Sequence, residues 1–126
     1  MTKLLVTVHQ ARDLKREDGL IGKNDPYVEL SIGRLLNKQK HKTKVQKNAT
    51  GVVTFTDEPF LFTAKPDDSL RVEVFDDDLI SDDDIGSTKI PLKSVFESGH
   101  IKQWYQIGEG SKFRGEVELE LTVQPE

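Results

Sequence analysis

The chain has 126 residues, a formal net charge of −4 and no cysteine. That is room for one domain with its own core, and it excludes disulfides and thiolate metal sites. Charged residues make up 32% and hydrophobic residues 35%, with no apolar run near the ~18 residues of a membrane span, so neither a transmembrane helix nor a secretory signal core is expected and cytoplasmic residence is the default.

Period-two alternation begins at once, with Leu4, Val6 and Val8 set against Lys3, Leu5, Thr7 and His9, as in a half-buried strand. A glycine-containing turn follows, with Asp18 and Asp25 at its two ends, and leads into Val28, Leu30 and Ile32, a second alternating strand. A polar strand is predicted from Lys38 to Lys44 and an aromatic one from Val52 to Phe62. Asn48-Ala49-Thr50 between them is read as a chance glycosylation sequon. Leu70, Val72 and Val74 alternate again against Arg71, Glu73 and Phe75. Beyond the acidic run comes a short strand from Ser87 to Ile90, then a brief helix from Leu92 to Ser98. A strand from Ile101 to Ile107 carries Trp104, read as a core position. Val117, Leu119, Leu121 and Val123 against Glu116, Glu118 and Glu120 make the cleanest strand of all. Eight strands, punctuated by turn signals at Gly22, Gly33, Gly51, Pro59, Pro66, Gly86, Gly108 and Gly115, predict an all-β antiparallel sandwich of two packed sheets. No repeat, linker or low-complexity tail interrupts residues 1–126, which read as a single domain.

The densest chemistry lies between Val74 and Gly86, where Asp76, Asp77, Asp78, Asp82, Asp83 and Asp84 crowd one loop after a strand. Ionised carboxylates this close raise one another's proton affinity unless a cation is shared among them or water separates them. Calcium suits such oxygen ligands, accepting ~6–8 of them in flexible geometry, whereas magnesium demands tighter octahedral order. A solvated acidic loop is the bland alternative, and the second aspartate turn at Asp18 and Asp25 weighs against it. An EF-hand counted from Asp76 fails, because Ser81 stands where the sharp turn needs glycine and Ser87 where the bidentate Glu belongs. Opposite in sign, Arg34, Lys38, Lys40, Lys42, Lys44 and Lys47 occupy residues 34–47 with no acidic residue among them.

Taken together, Leu4-Leu5-Val6-Thr7-Val8 leading to Ala11-Arg12-Asp13-Leu14, the run Gly22-Lys23-Asn24-Asp25-Pro26-Tyr27-Val28, and Val74-Phe75-Asp76-Asp77-Asp78 with Asp84-Ile85-Gly86 resemble the C2 domain, a calcium-dependent membrane-binding β-sandwich. The resemblance covers nearly the whole chain and implies a C2-like Greek key in the second of the family's two circularly permuted topologies. It implies calcium ligands at Asp18, Asp25, Asp76 and Asp78, plus a last carboxylate. Counting forward from Asp78 selects Asp84, the preferred reading, and counting back from Gly86 selects Asp83. The spacing from Asp18 to Asp25 is one residue longer than the family's common form, which leaves Glu17 as a competitor for Asp18. Residues 48–58 depart from the family's usual Asn-Pro-x-Trp-Asn-Glu run, a change in a structural turn.

The implied function is calcium-dependent binding to anionic phospholipids such as phosphatidylserine, with peripheral recruitment to a membrane. Leu20-Ile21 and Leu79-Ile80 stand among the carboxylates as apolar tips for insertion, their alternative being to fold back onto the core. In a strand, Lys38, Lys40, Lys42 and Lys44 share one face with neighbours ~6.4–6.8 Å apart. The resemblance assigns that face to phosphoinositides, and a solvated edge is the plainer account. A calcium-independent protein-interaction domain on the same scaffold is the alternative function. Nucleic acid ranks far behind, since the chain is acidic overall and residues 38–44 hold no aromatic side chain for stacking. Catalysis has little support, because His9, His41 and His100 fall in unrelated segments and no nucleophile elbow is present.

Overall fold

The computed structural model describes residues 2–15, 25–33, 37–47, 49–78, 82–109 and 112–124. Asp18, Leu20, Ile21, Leu79 and Ile80, all named above, lie outside the described residues. The strands are β1 (Thr2–Arg12), β2 (Pro26–Ile32), β3 (Gln39–Lys42), β4 (Val53–Thr54), β5 (Phe60–Ala64), β6 (Ser69–Asp76), β7 (Asp83–Pro91), β8 (His100–Glu109) and β9 (Lys112–Gln124), with one helix, α1 (Lys93–Ser98), between β7 and β8.

All pairings are antiparallel, in the order β3-β2-β6-β7-β8-β9-β1-β4, with β5 also on β1. The link between β7 and β8 is a single registered pair, Ser87 with Gly108, so the sheet folds over there into two layers. Val28, Leu30, Val72 and Val74 of one layer meet Leu4, Val6, Phe62, Leu119 and Leu121 of the other in one buried core. The period-two pattern explains this directly: alternate residues of each strand point inward, and apolar burial of ~1.5–3 kcal/mol per large side chain holds the layers together.

Several boundaries differ from the sequence reading. Nine strands form among the described residues, not eight, because the Val52–Phe62 stretch splits into β4 and β5. Between them Phe55 turns into the core and Pro59, which has no N–H for a ladder, precedes β5. The polar strand is shorter than expected, spanning Gln39–Lys42. Strand β6 ends at Asp76 and β7 starts at Asp83, so three of the crowded aspartates, Asp76, Asp83 and Asp84, are strand residues. Trp104 is not a core residue: Ile101, Tyr105 and Ile107 pack on the core, leaving Trp104 on the outer side with the Arg12 guanidinium 3.9 Å from its ring centre. Gly86, Gly108 and Gly115 fall inside strands instead of turns.

Strand β3 closes an edge. Thr63 of β5 donates its backbone N–H to Gln39 Oε1 at 2.8 Å and accepts from Gln39 Nε2 at 2.7 Å, while His41 Nε2 lies 3.1 Å from the Leu61 carbonyl. His41 also stacks on Phe60 and meets Phe62 edge-on. These side chains satisfy backbone groups on the side of β5 away from β1, which an open edge would expose to other chains. The alternate residues Lys38, Lys40, Lys42 and Lys44 are left exposed.

On the outer face of β8, β9 and β1, the carboxylate of Glu120 bridges His9 Nε2 at 2.8 Å and His100 Nε2 at 2.7 Å. The bond with His100, then that with His9, holds the Glu120 carboxyl below its ordinary value of 4.5. A depressed folded value stabilises the protein above the unfolded value and ceases to do so as pH falls through the folded one. Glu120→Gln should therefore reduce the acid-side loss of stability below that ordinary value of 4.5. Urea denaturation across pH 3–6 with both proteins checks this at ~0.1 M salt, where screening of these partly exposed groups keeps the effect small.

Candidate functional site

The ends of β2, β6 and β7 bring the aspartates together. Asp25 donates its backbone N–H to Asp76 Oδ1 at 2.8 Å, and Asp77 donates its own to the Asp25 carbonyl at 2.9 Å. Strand pairing sets Pro26 opposite Asp76 and Asp76 opposite Asp83. Thus residues distant in sequence meet because antiparallel strands return to the same end of the sheet.

A register shift in β7 between Gly86 and Asp84 sets which aspartate stands opposite Asp76. Val74 pairs with Gly86 but Phe75 pairs with Asp84, so Ile85 is the extra residue, and it is buried. A bulge of this kind re-aims the side chains on either side of it. Asp83 faces Asp76 across the ladder, whereas Asp84 lines a different cleft with Arg71 and Arg114.

Asp82 is committed elsewhere. Its Oδ2 accepts from the Tyr27 hydroxyl at 2.5 Å and its Oδ1 from the Asp78 backbone N–H at 3.2 Å. The Tyr27 bond, followed by the Asp78 N–H, holds the Asp82 carboxyl below the ordinary range. Burial first, then the Asp82 bond and charge, pushes the Tyr27 phenol well above its usual value, so it stays a protonated donor. Asp77 is pushed the other way from Asp82: desolvation raises its carboxyl, and the charges of Asp82 and Asp25 add to the rise. The Tyr27 ring stacks on Phe75 at 5.3 Å between centres. Composition and spacing did not single out Tyr27 or Asp82 for this latch. The tyrosine is visible in the Asp25-Pro26-Tyr27 run, but nothing local couples it to a residue 55 positions away.

Of the expected ligands, Asp25, Asp76 and Asp83 lie where strand ends converge, Asp78 sits in the adjoining turn, and Asp84 pairs with Phe75 and lines the cleft of Arg71 and Arg114. Among the described residues no three acidic or histidine side chains form a metal cage by themselves. The donors are all oxygen, which fits a hard cation such as calcium and suits neither zinc nor copper as well.

The lysine face adjoins this end. Lys42 and Lys40 pair with Glu29 and Ser31 of β2, and Ser31 and Arg71 continue the row to Lys89. Lys40 Nζ lies 3.4 Å from Glu29, and Lys42 Nζ stands 5.7 Å over the Tyr27 ring. Asp57 Oδ2 accepts the Lys44 backbone N–H at 3.1 Å, just past the last residue of β3.

The sequence matches a family model described as the C2 domain, over residues 2–107. The chain belongs to the C2 domain family. This C2 domain is 40% identical over 101 residues, 80% of its length, to a calcium-dependent lipid-binding protein of Arabidopsis thaliana, and 35% identical over 129 residues, 97% of its length, to human extended synaptotagmin-1. It spans 19% and 11% of those two proteins. Among solved structures, a C2 domain of plant extended synaptotagmin 1 superposes with a TM-score of 0.81 at 24% identity, covering 99% of this chain and 95% of that one, a likeness of fold. A calcium-bound pair of C2 domains from extended synaptotagmin 2 superposes with a TM-score of 0.77 at 26% identity, covering 98% of this chain and 46% of that one. No helix among the described residues is long and apolar enough to cross a membrane.

Proposed function

We propose that this C2 domain is a non-catalytic module that binds anionic phospholipid membranes when calcium is present, acting peripherally at a cytoplasmic surface. The observation that carries the reading is the convergence of Asp25, Asp76 and Asp83 at the ends of three adjacent strands, with Asp78 in the turn beside them. These carboxylates, together with Asp18 of the first loop, would hold calcium, and the bound ion would offer open coordination positions to phosphate or carboxylate oxygens of phosphatidylserine. Without it, the acidic end repels anionic headgroups. Leu20, Ile21, Leu79 and Ile80 are the side chains proposed to insert, and Lys38, Lys40, Lys42 and Lys44 the ones proposed to meet phosphoinositides, each lysine contributing ~1 kcal/mol near an anionic leaflet. The similarity to a protein named for calcium-dependent lipid binding supports this reading.

Co-sedimentation with phosphatidylserine vesicles at physiological salt, in micromolar calcium or in chelator, tests it. The wild-type domain should pellet only with calcium, and Asp25→Asn plus Asp76→Asn should stay in the supernatant. Pelleting indifferent to calcium, or none at all, would sink the proposal and leave the calcium-independent protein-interaction domain as the reading to pursue.

A further inference from the structure

Where β7 and β8 touch through one registered pair, the two layers part and leave a cleft of about 710 Å³. We propose that this cleft is an anion site that takes a phosphate monoester, bordering the lysine face through Arg71 and the aspartate end through Asp84.

Its lining is polar, and three of its four charged residues are cations: Arg71, Lys112 and Arg114, with Asp84 the carboxylate. Three cations against the Asp84 carboxylate leave an excess of two positive charges, and an excess of one if Glu73, whose Oε1 accepts from Arg71 Nε at 3.0 Å, is counted with them. A phosphate monoester, with about 1.5 to 2 negative charges near neutral pH, matches an excess of one to two where a neutral or apolar ligand does not. Arg114 is held in place by a bond from its Nη2 to the Lys15 carbonyl at 3.2 Å, while its buried Nε has no hydrogen-bond partner among the described residues. A buried guanidinium donor left unsatisfied is costly, and it marks a cation whose compensation is incomplete.

Gly86 and Gly108 let the two strands approach closely beside the cleft: a Cβ on Gly86 would lie 3.2 Å from both Arg114 Cβ and the Gly108 nitrogen and would press on the stem of Arg114. A second, smaller hollow lined by Thr88, Gln106 and Phe113 shares Ser87, Gly108 and Lys112 with the cleft. The cleft lies toward the end of the sandwich that carries the β6–β7 turn and the β8–β9 hairpin, with Asp84 next in sequence to Asp83. A phosphate monoester reaches such a place either as a membrane headgroup or as a soluble ester.

The test is run in chelator, so it does not depend on the calcium reading. Glycerol 3-phosphate is titrated into the labelled domain while amide resonances are followed, and vesicles of phosphatidylcholine with and without phosphatidic acid are sedimented in parallel. Amide shifts at Gly86, Ser87 and Gly108 are expected for one or both phosphate sources. Lys112→Glu combined with Arg71→Gln should weaken that binding about tenfold, as loss of charge-assisted contacts does. Asp84→Asn should tighten it by removing the carboxylate in the cleft, and Lys102→Glu on another face should leave it unchanged. Response to the soluble ester identifies a free phosphate ligand, and response to phosphatidic acid vesicles alone identifies a headgroup. Shifts confined to residues 38–44, binding unaffected by the cleft variants, or no binding of either source would overturn the site.

Discussion

Asp83→Asn should weaken calcium binding by at least about tenfold and abolish calcium-dependent pelleting, while Asp84→Asn should leave both near wild type, since calcium affinity follows the charge and number of carboxylate ligands. Counting forward from Asp78 favoured Asp84, but the ladder supports the opposite choice. The extra residue Ile85 breaks the register, so Asp83 stands opposite Asp76 and Asp84 stands opposite Phe75, on the side of the cleft lined by Arg71 and Arg114. An amide in place of Asp83 removes a negative charge beside Asp76. The same change at Asp84 removes a charge beside two guanidinium groups. Calorimetric calcium titration of the two single variants separates these roles, and the reverse ranking would return the last ligand to Asp84. Either result bears on the seam cleft as well, because Asp84 is its carboxylate.

Gly108→Ala should destabilise the domain by about 3 kcal/mol, at the severe end of overpacking. A Cβ built there lies 1.7 Å from the Lys112 carbonyl oxygen and 2.9 Å from its carbon, and backbone atoms cannot swing aside as a side-chain tip does. The β8–β9 hairpin, where Gly108 pairs with Phe113, would have to open. Gly99→Ala is the control, since its Cβ meets nothing within 4 Å and the cost is only that of an alanine at φ 83°, about 1 kcal/mol. Urea unfolding of both variants decides the matter. Equal midpoints would mean that the hairpin yields easily, and the close approach at the seam would lose its structural meaning.

The strands with clean alternation were legible because one buried face imposes a period of two on the residues that fill it. Leu4, Val6 and Val8, Leu70, Val72 and Val74, and Val117, Leu119 and Leu121 are all buried as that pattern requires. Helix α1 was legible too, ending at Gly99, whose φ of 83° a glycine adopts without strain. Trp104 misled because bulk alone does not say which side of a strand faces inward. Here Ile107 and Tyr105 take the core side and Trp104 covers Arg12 outside.

Composition and pattern by themselves determined an all-β chain with an acidic pole and a lysine-rich strand, since charge and hydrophobic period are properties of residue order. Only the tertiary structure decided which aspartates meet, because a single extra residue in β7 reverses the faces of Asp83 and Asp84, and that shift depends on pairing with β6. The Tyr27–Asp82 latch, the use of Gln39 and His41 to close the β5 edge, and the cationic seam beside Gly86 and Gly108 join residues from separate strands. Such contacts are set by register and layer packing, which a linear pattern of side chains does not encode locally.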